Sequence, residues 1–153
     1  MANQEQMTAF VGLSAVLTGF NQSIIAPFID PINIKAEYFD KFTSEIPNYA
    51  DILKEFTSLK AQGKADQEIG ETILSNSAFE MPCRQLIFLW YSGAWGFVQD
   101  GMVVSDLLSA KSYTQGLAWQ VMQSHPMGDS NYRYGYWAET PAPLSGYTGN
   151  TND

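Results

Sequence analysis

Few side chains in this sequence have both the type and the setting to do chemistry: Cys83, Asp100, Asp106 and His125. A nucleophilic triad needs a histidine base beside a serine or cysteine, with a third group orienting the ring. His125, the only histidine, lies between Ser124 and Pro126 at an expected helix end. There it is better suited to capping terminal carbonyls at the negative end of the helix dipole than to general-base catalysis. Asp100 and Asp106 stand in a charge-poor stretch. Paired carboxylates can do acid–base work, but loop and capping roles fit these two better. Cys83 is the only cysteine, so it cannot close an internal disulfide. One thiol and one histidine also fall short of the four ligands of structural zinc. Cys83 reads as a small buried hydrophobe, the alternative being a thiol that faces a partner chain. The stretch YSGAWG carries two glycines among aromatic residues. With no strand before it, it is not a phosphate loop. No catalytic, cofactor-binding or metal-binding residue is assigned to this chain.

The elements that would hold these groups read as helices. Phe10, Val11, Leu13, Ala15, Val16 and Leu17 are dense enough for a largely buried helix, with Gly19 and Asn21 as its stop. Asp30 and Pro31 suggest an N-cap and first turn, after which Ile34, Tyr38, Phe42 and Ile46 recur every fourth residue until Pro47. Ile52, Leu53, Phe56 and Leu59 form a further stripe closed by Gly63, and a short helix spans ADQEIGETILSNS. PCRQLIFLWYSGAW, apolar nearly all round, is the expected central helix, starting at Pro82. Ser109 is the candidate N-cap for a final helix ending before Pro126. Between them GFVQDGMVVSDLL stays ambiguous, either a loop with a short extended piece or a helical turn. Strand-like alternation is scarce elsewhere. The expectation is an all-α domain, a compact bundle of roughly four to six helices. Its core covers residues 8–126, an extended aromatic tail 127–143 and a frayed end 144–153.

Composition narrows the partners. With 8 basic against 16 acidic residues the formal net charge is −8. Nucleic acid and anionic membrane faces are therefore disfavoured. No run is apolar enough for a membrane span, and no basic leader precedes Phe10. As written the chain is expected in the cytoplasm; removal of a leader, or a signal on its partner, would place it in the periplasm instead. Aromatic residues reach 14%, and between Met81 and Gly128 the only charges are Arg84, Asp100, Asp106 and Lys111. Trp90, Trp95 and Trp119 suit core packing. Tyr132, Tyr134, Tyr136 and Trp137 sit on a segment broken by prolines and glycines. Such a strip must fold back over its own helices or clasp another protein. Candidate partner contacts are Trp90, Trp95, Tyr113, Trp119, His125, Tyr134, Tyr136 and Trp137.

FVGLSAVLTGF, LIFLWYSGAW, SYTQGLAWQVMQSHPMG and YGYWAETP occur in that order from Phe10 to Pro141. The ordered set resembles the small subunit of the membrane-bound, flavin-dependent sorbitol, fructose and glucose dehydrogenases. The resemblance implies a helical accessory chain without a flavin of its own. Its partner would be a large FAD-containing subunit of the glucose–methanol–choline type, often with an iron–sulfur cluster and a cytochrome c subunit. It also implies a chaperone-like, stabilising role, with Trp137 and its neighbours docked on that partner. Two alternatives remain open: a small stand-alone enzyme using His125 with Asp100 or Asp106, and a self-associating structural protein.

Overall fold

A computed structural model of the chain describes residues 4–126, 128, 135 and 138–148, with Val98 described in its backbone alone. The structure is mostly helical and carries one two-stranded antiparallel sheet. In order, it has α1 (Gln4–Thr18), α2 (Gln22–Ile25), α3 (Ile34–Glu45), α4 (Tyr49–Ala61), α5 (Asp66–Ser75) and α6 (Glu80–Ser92). Then follow β1 (Ala94–Gln99), β2 (Met102–Leu107), α7 (Ala110–Gln115) and α8 (Ala118–Val121).

The two most apolar helices are the hubs. α1 packs against α2 to α6, and α6 against α1, α3, α5, α7 and β1. The stripes read from the sequence are the faces that go inside. Tyr38 and Phe42 of α3, Ile52 of α4 and Ile69 and Ile73 of α5 are all fully buried. At the crossing of α1, α3 and α6, Tyr38 meets Trp90 edge-on at 4.7 Å and Phe10 meets Phe39 edge-on at 5.1 Å. These edge-to-face contacts use the positive ring edge against the negative ring face. α6 ends because Gly93 turns left-handed at φ 73°, a conformation that costs a residue with a Cβ.

The all-α expectation is corrected at the ambiguous segment. Residues 94–107 form a hairpin paired from Ala94↔Leu107 to Gln99↔Met102. Asp100 and Gly101 make its two-residue turn, both with positive φ (52° and 76°). That geometry matches the right-handed twist of paired strands, and Asp-Gly is a favoured pair for it. Asp100 is therefore a turn residue.

Three expected helices also differ in their bounds. The central one starts at Glu80, ahead of Pro82, and stops at Ser92, so Ala94 and Trp95 belong to β1. The expected final helix is broken, because Gly116 adopts an extended ψ of 128° and ends α7. The break lets the Leu117 amide donate to the Trp90 carbonyl at 2.9 Å, filling an open acceptor at the end of α6. Ser109 does cap α7, in a reciprocal box with Ser112. Asp30 does not cap α3, which starts three residues after Pro31 behind a left-handed Asn33 (φ 53°). Its carboxylate instead accepts the Asn33 amide at 2.7 Å and pairs with Lys35, closing a turn.

Residues 144–148, expected to belong to a frayed end, are tied down. Leu144–Gly146 forms a 3-10 turn, Thr148 bridges Phe20, and the Asn21 amide donates to the Tyr147 carbonyl at 2.9 Å.

Candidate functional site

The candidate chemical residues are distributed rather than assembled. Asp100 is at the hairpin tip, Asp106 lies in β2 opposite Trp95, and His125 follows α8. The imidazole Nδ1 of His125 stands 2.8 Å from the Pro126 carbonyl oxygen, which lies beyond α8 and is not one of its terminal carbonyls. Cys83 is fully buried. Burial pushes its thiol up to about 12, away from the thiolate needed for nucleophilic attack. The alternative reading of Cys83, a thiol facing a partner, is thereby corrected. Burial likewise raises the Tyr38 hydroxyl, with a further push from the nearby Glu37 charge.

One cleft of about 480 Å³ opens between the C-terminal half of α3 and the base of the hairpin, bordered by Lys41, Glu45, Gln85, Trp95, Phe97 and Asp106 among others. The sequence dictates its walls. Lys41 and Glu45 are one helical turn apart and pair at 2.6 Å, while the Lys41 ammonium stands 5.8 Å over the Trp95 ring. Gln85 donates to the Gly96 carbonyl at 2.8 Å and fastens β1 to α6. Asp106 borders the cleft; Asp100 and His125 do not. Of the acid–base set weighed for a stand-alone enzyme, this cleft is bordered by Asp106 alone. Among the described residues, no group of three His, Cys, Asp or Glu side chains is placed to hold a metal ion.

The candidate partner contacts divide by burial. Trp90 and Trp95 are 2% and 4% exposed and belong to the core. Tyr113 and Trp119 are half-buried against one another at 5.4 Å, edge-on, and the Trp119 indole N–H donates to the Tyr113 carbonyl at 2.8 Å. Tyr134, Tyr136 and Trp137, like Tyr132, lie outside the described residues.

Sequence reasoning passed over a different set. Phe28 and Ile29 are 103% and 81% exposed in the loop between α2 and α3, and Met102 and Val103 are 67% and 76% exposed beside the hairpin turn. The available signal was the run PFIDP. Two large apolar residues between prolines can join neither a helix stripe nor a strand, so their burial has to come from elsewhere.

Among the described residues, no helix is long and apolar enough to cross a membrane. Compared with protein-family models, with curated proteins and with solved structures, the chain matches none.

Proposed function

We propose that this chain is a non-catalytic accessory subunit that binds and stabilises a flavin-dependent dehydrogenase of sugars or related alcohols. The observation that carries the reading is a closed aromatic core alongside large apolar side chains left in water. Phe10, Tyr38, Phe42 and Trp90 are sealed, while Phe28, Ile29, Met102 and Val103 are exposed. Leaving such side chains in water forfeits roughly 1.5–3 kcal/mol each, a loss that a partner's surface recovers. The dehydrogenase assignment rests on the four ordered stretches from Phe10 to Pro141. In this reading the flavin, and any iron–sulfur cluster or cytochrome c, belong to other chains. The residues of this chain only hold and shape their partner.

The first check is the neighbouring reading frames. One of them should encode a strand–GxGxxG–helix flavin fingerprint. Co-expression with that flavoprotein, purified through a tag on this chain, should then recover both chains with flavin bound. Recovery of this chain alone, beside a flavoprotein that is stable and fully active without it, refutes the proposal. Turnover of a small substrate by this chain alone, lost in His125→Ala or Asp106→Asn with the fold intact, would favour the stand-alone enzyme.

A further inference from the structure

The loop between α2 and α3, residues 26–33, combines the largest apolar exposure in the described chain with a fixed backbone. Ile25 at its start is fully buried and Ile34 at its end is 7% exposed, so both ends are set in the core. Pro27 and Pro31 restrict φ on either side of Phe28 and Ile29. Asp30 closes the turn through the Asn33 amide and the Lys35 ammonium. The only charge in the loop is thus used internally. What remains outward is an apolar knob of Phe28 and Ile29, with Ile32 less exposed beside them at 39%, held in place before any partner arrives. Pre-organisation of this kind lowers the entropy lost on binding.

We infer that this loop is the docking anchor, with Phe28 and Ile29 seated in an apolar recess of the flavoprotein subunit. The inference rests on the accessory-subunit reading and assigns its contact surface. A second copy of this chain is a poor occupant, because each carries a formal net charge of −8 and two copies repel. An anionic bilayer is repelled likewise, and the one lysine beside the loop, Lys35, is already paired with Asp30. A protein recess with an apolar floor and a neutral or basic rim meets both conditions. Two side chains fall well short of the roughly 800 Å² per partner in a stable interface. The loop is therefore the hot spot of a wider contact.

The test is the double substitution Phe28→Ser with Ile29→Ser in the full chain, titrated against the purified flavoprotein beside wild type. Because both side chains are in water, the melting temperature and circular dichroism should be unchanged. Affinity for the flavoprotein should fall about a hundredfold, two anchors at roughly tenfold each. If wild type binds and the variant binds within about fivefold of it, this inference is overturned and the accessory reading stands. If wild type does not bind, both fall. A drop in the variant's melting temperature shows the loop covered by its own chain and overturns the inference. So does wild-type self-association in light scattering that the variant abolishes. Flotation of wild type, but not the variant, with phosphatidylcholine–phosphatidylserine vesicles assigns the knob to lipid and overturns it as well.

Discussion

Gly93 joins α6 to the hairpin, and replacing it with alanine should be among the most damaging changes that a single methyl group can make here. Two costs combine. Gly93 sits at φ 73°, where an L-residue with a Cβ pays roughly 1–2 kcal/mol. The added Cβ would also stand 2.2 Å from the Ser112 carbonyl oxygen and 2.4 Å from its carbon. Backbone cannot rotate away as a side chain can, so α7 must retreat by about 1 Å to reach ordinary contact. That movement stretches the bonds converging on the Gly93 carbonyl, from the Leu108 amide at 3.1 Å and the Ser112 hydroxyl at 2.7 Å. Overpacking of this kind typically costs about 1–3 kcal/mol. The total is about 2–5 kcal/mol, a large share of the roughly 5–15 kcal/mol that holds a domain folded. With a urea slope of about 2 kcal/mol per molar, the unfolding midpoint should drop by about 1–2.5 M. Gly101→Ala is the control. It shares the positive φ, at 76°, but nothing lies within 4 Å of the place its Cβ would take, so it should lose only the strain, about 1–2 kcal/mol. Urea unfolding followed by tryptophan fluorescence compares the two directly. A Gly93→Ala midpoint no lower than that of Gly101→Ala would refute the close-approach argument.

Other expected outcomes draw on the same packing. Ser112→Ala removes a buried hydroxyl that donates to the Gly93 carbonyl and accepts the Ser109 amide at 2.8 Å; it should cost about 2–3 kcal/mol in urea unfolding, and a loss below about 0.5 kcal/mol would contradict the role given to it. The Cys83 thiol, held up at about 12 by burial, should resist a thiol-specific reagent at mildly alkaline pH until denaturant is added; rapid labelling of the native chain would place it elsewhere than the core. Stability should decline with rising pH, because Cys83 and Tyr38 stay protonated in the fold while their unfolded counterparts lose protons near 9.0 and 10.0. The contribution is complete below about pH 9 and shrinks above it, and a flat urea midpoint from there to pH 10.5 or so would contradict the linkage.

Much of the helical frame was legible because amphipathic stripes and their stops lie in contiguous sequence. The every-fourth-residue run Ile34, Tyr38, Phe42 and Ile46 is the inward face of α3 and its C-cap. The hairpin was harder. Its strands AWGFVQ and MVVSDL lack clean alternation, since the ladder is only two strands wide and β2 is largely exposed. The Asp-Gly pair between them was the available signal. The break at Gly116 depends on a partner for the Trp90 carbonyl, supplied by Leu117 after a gap of many residues, which local periodicity does not encode. The candidate surface was least legible. Aromatic content drew attention to Trp90 and Trp95, which are core, while the exposed knob is a phenylalanine and an isoleucine in a short loop between helices. Residue type alone does not distinguish an anchor from core packing; position relative to the closed core does.

The central claim, the proposal that a flavoprotein completes this chain, is tested most directly by sedimentation velocity of the proposed flavoprotein partner followed through its flavin absorbance. Adding this chain should shift the whole flavin boundary to a faster species and raise the thermal stability of the bound flavin. A flavin boundary that sediments unchanged, with dehydrogenase turnover and stability unaffected by the addition, would contradict the account.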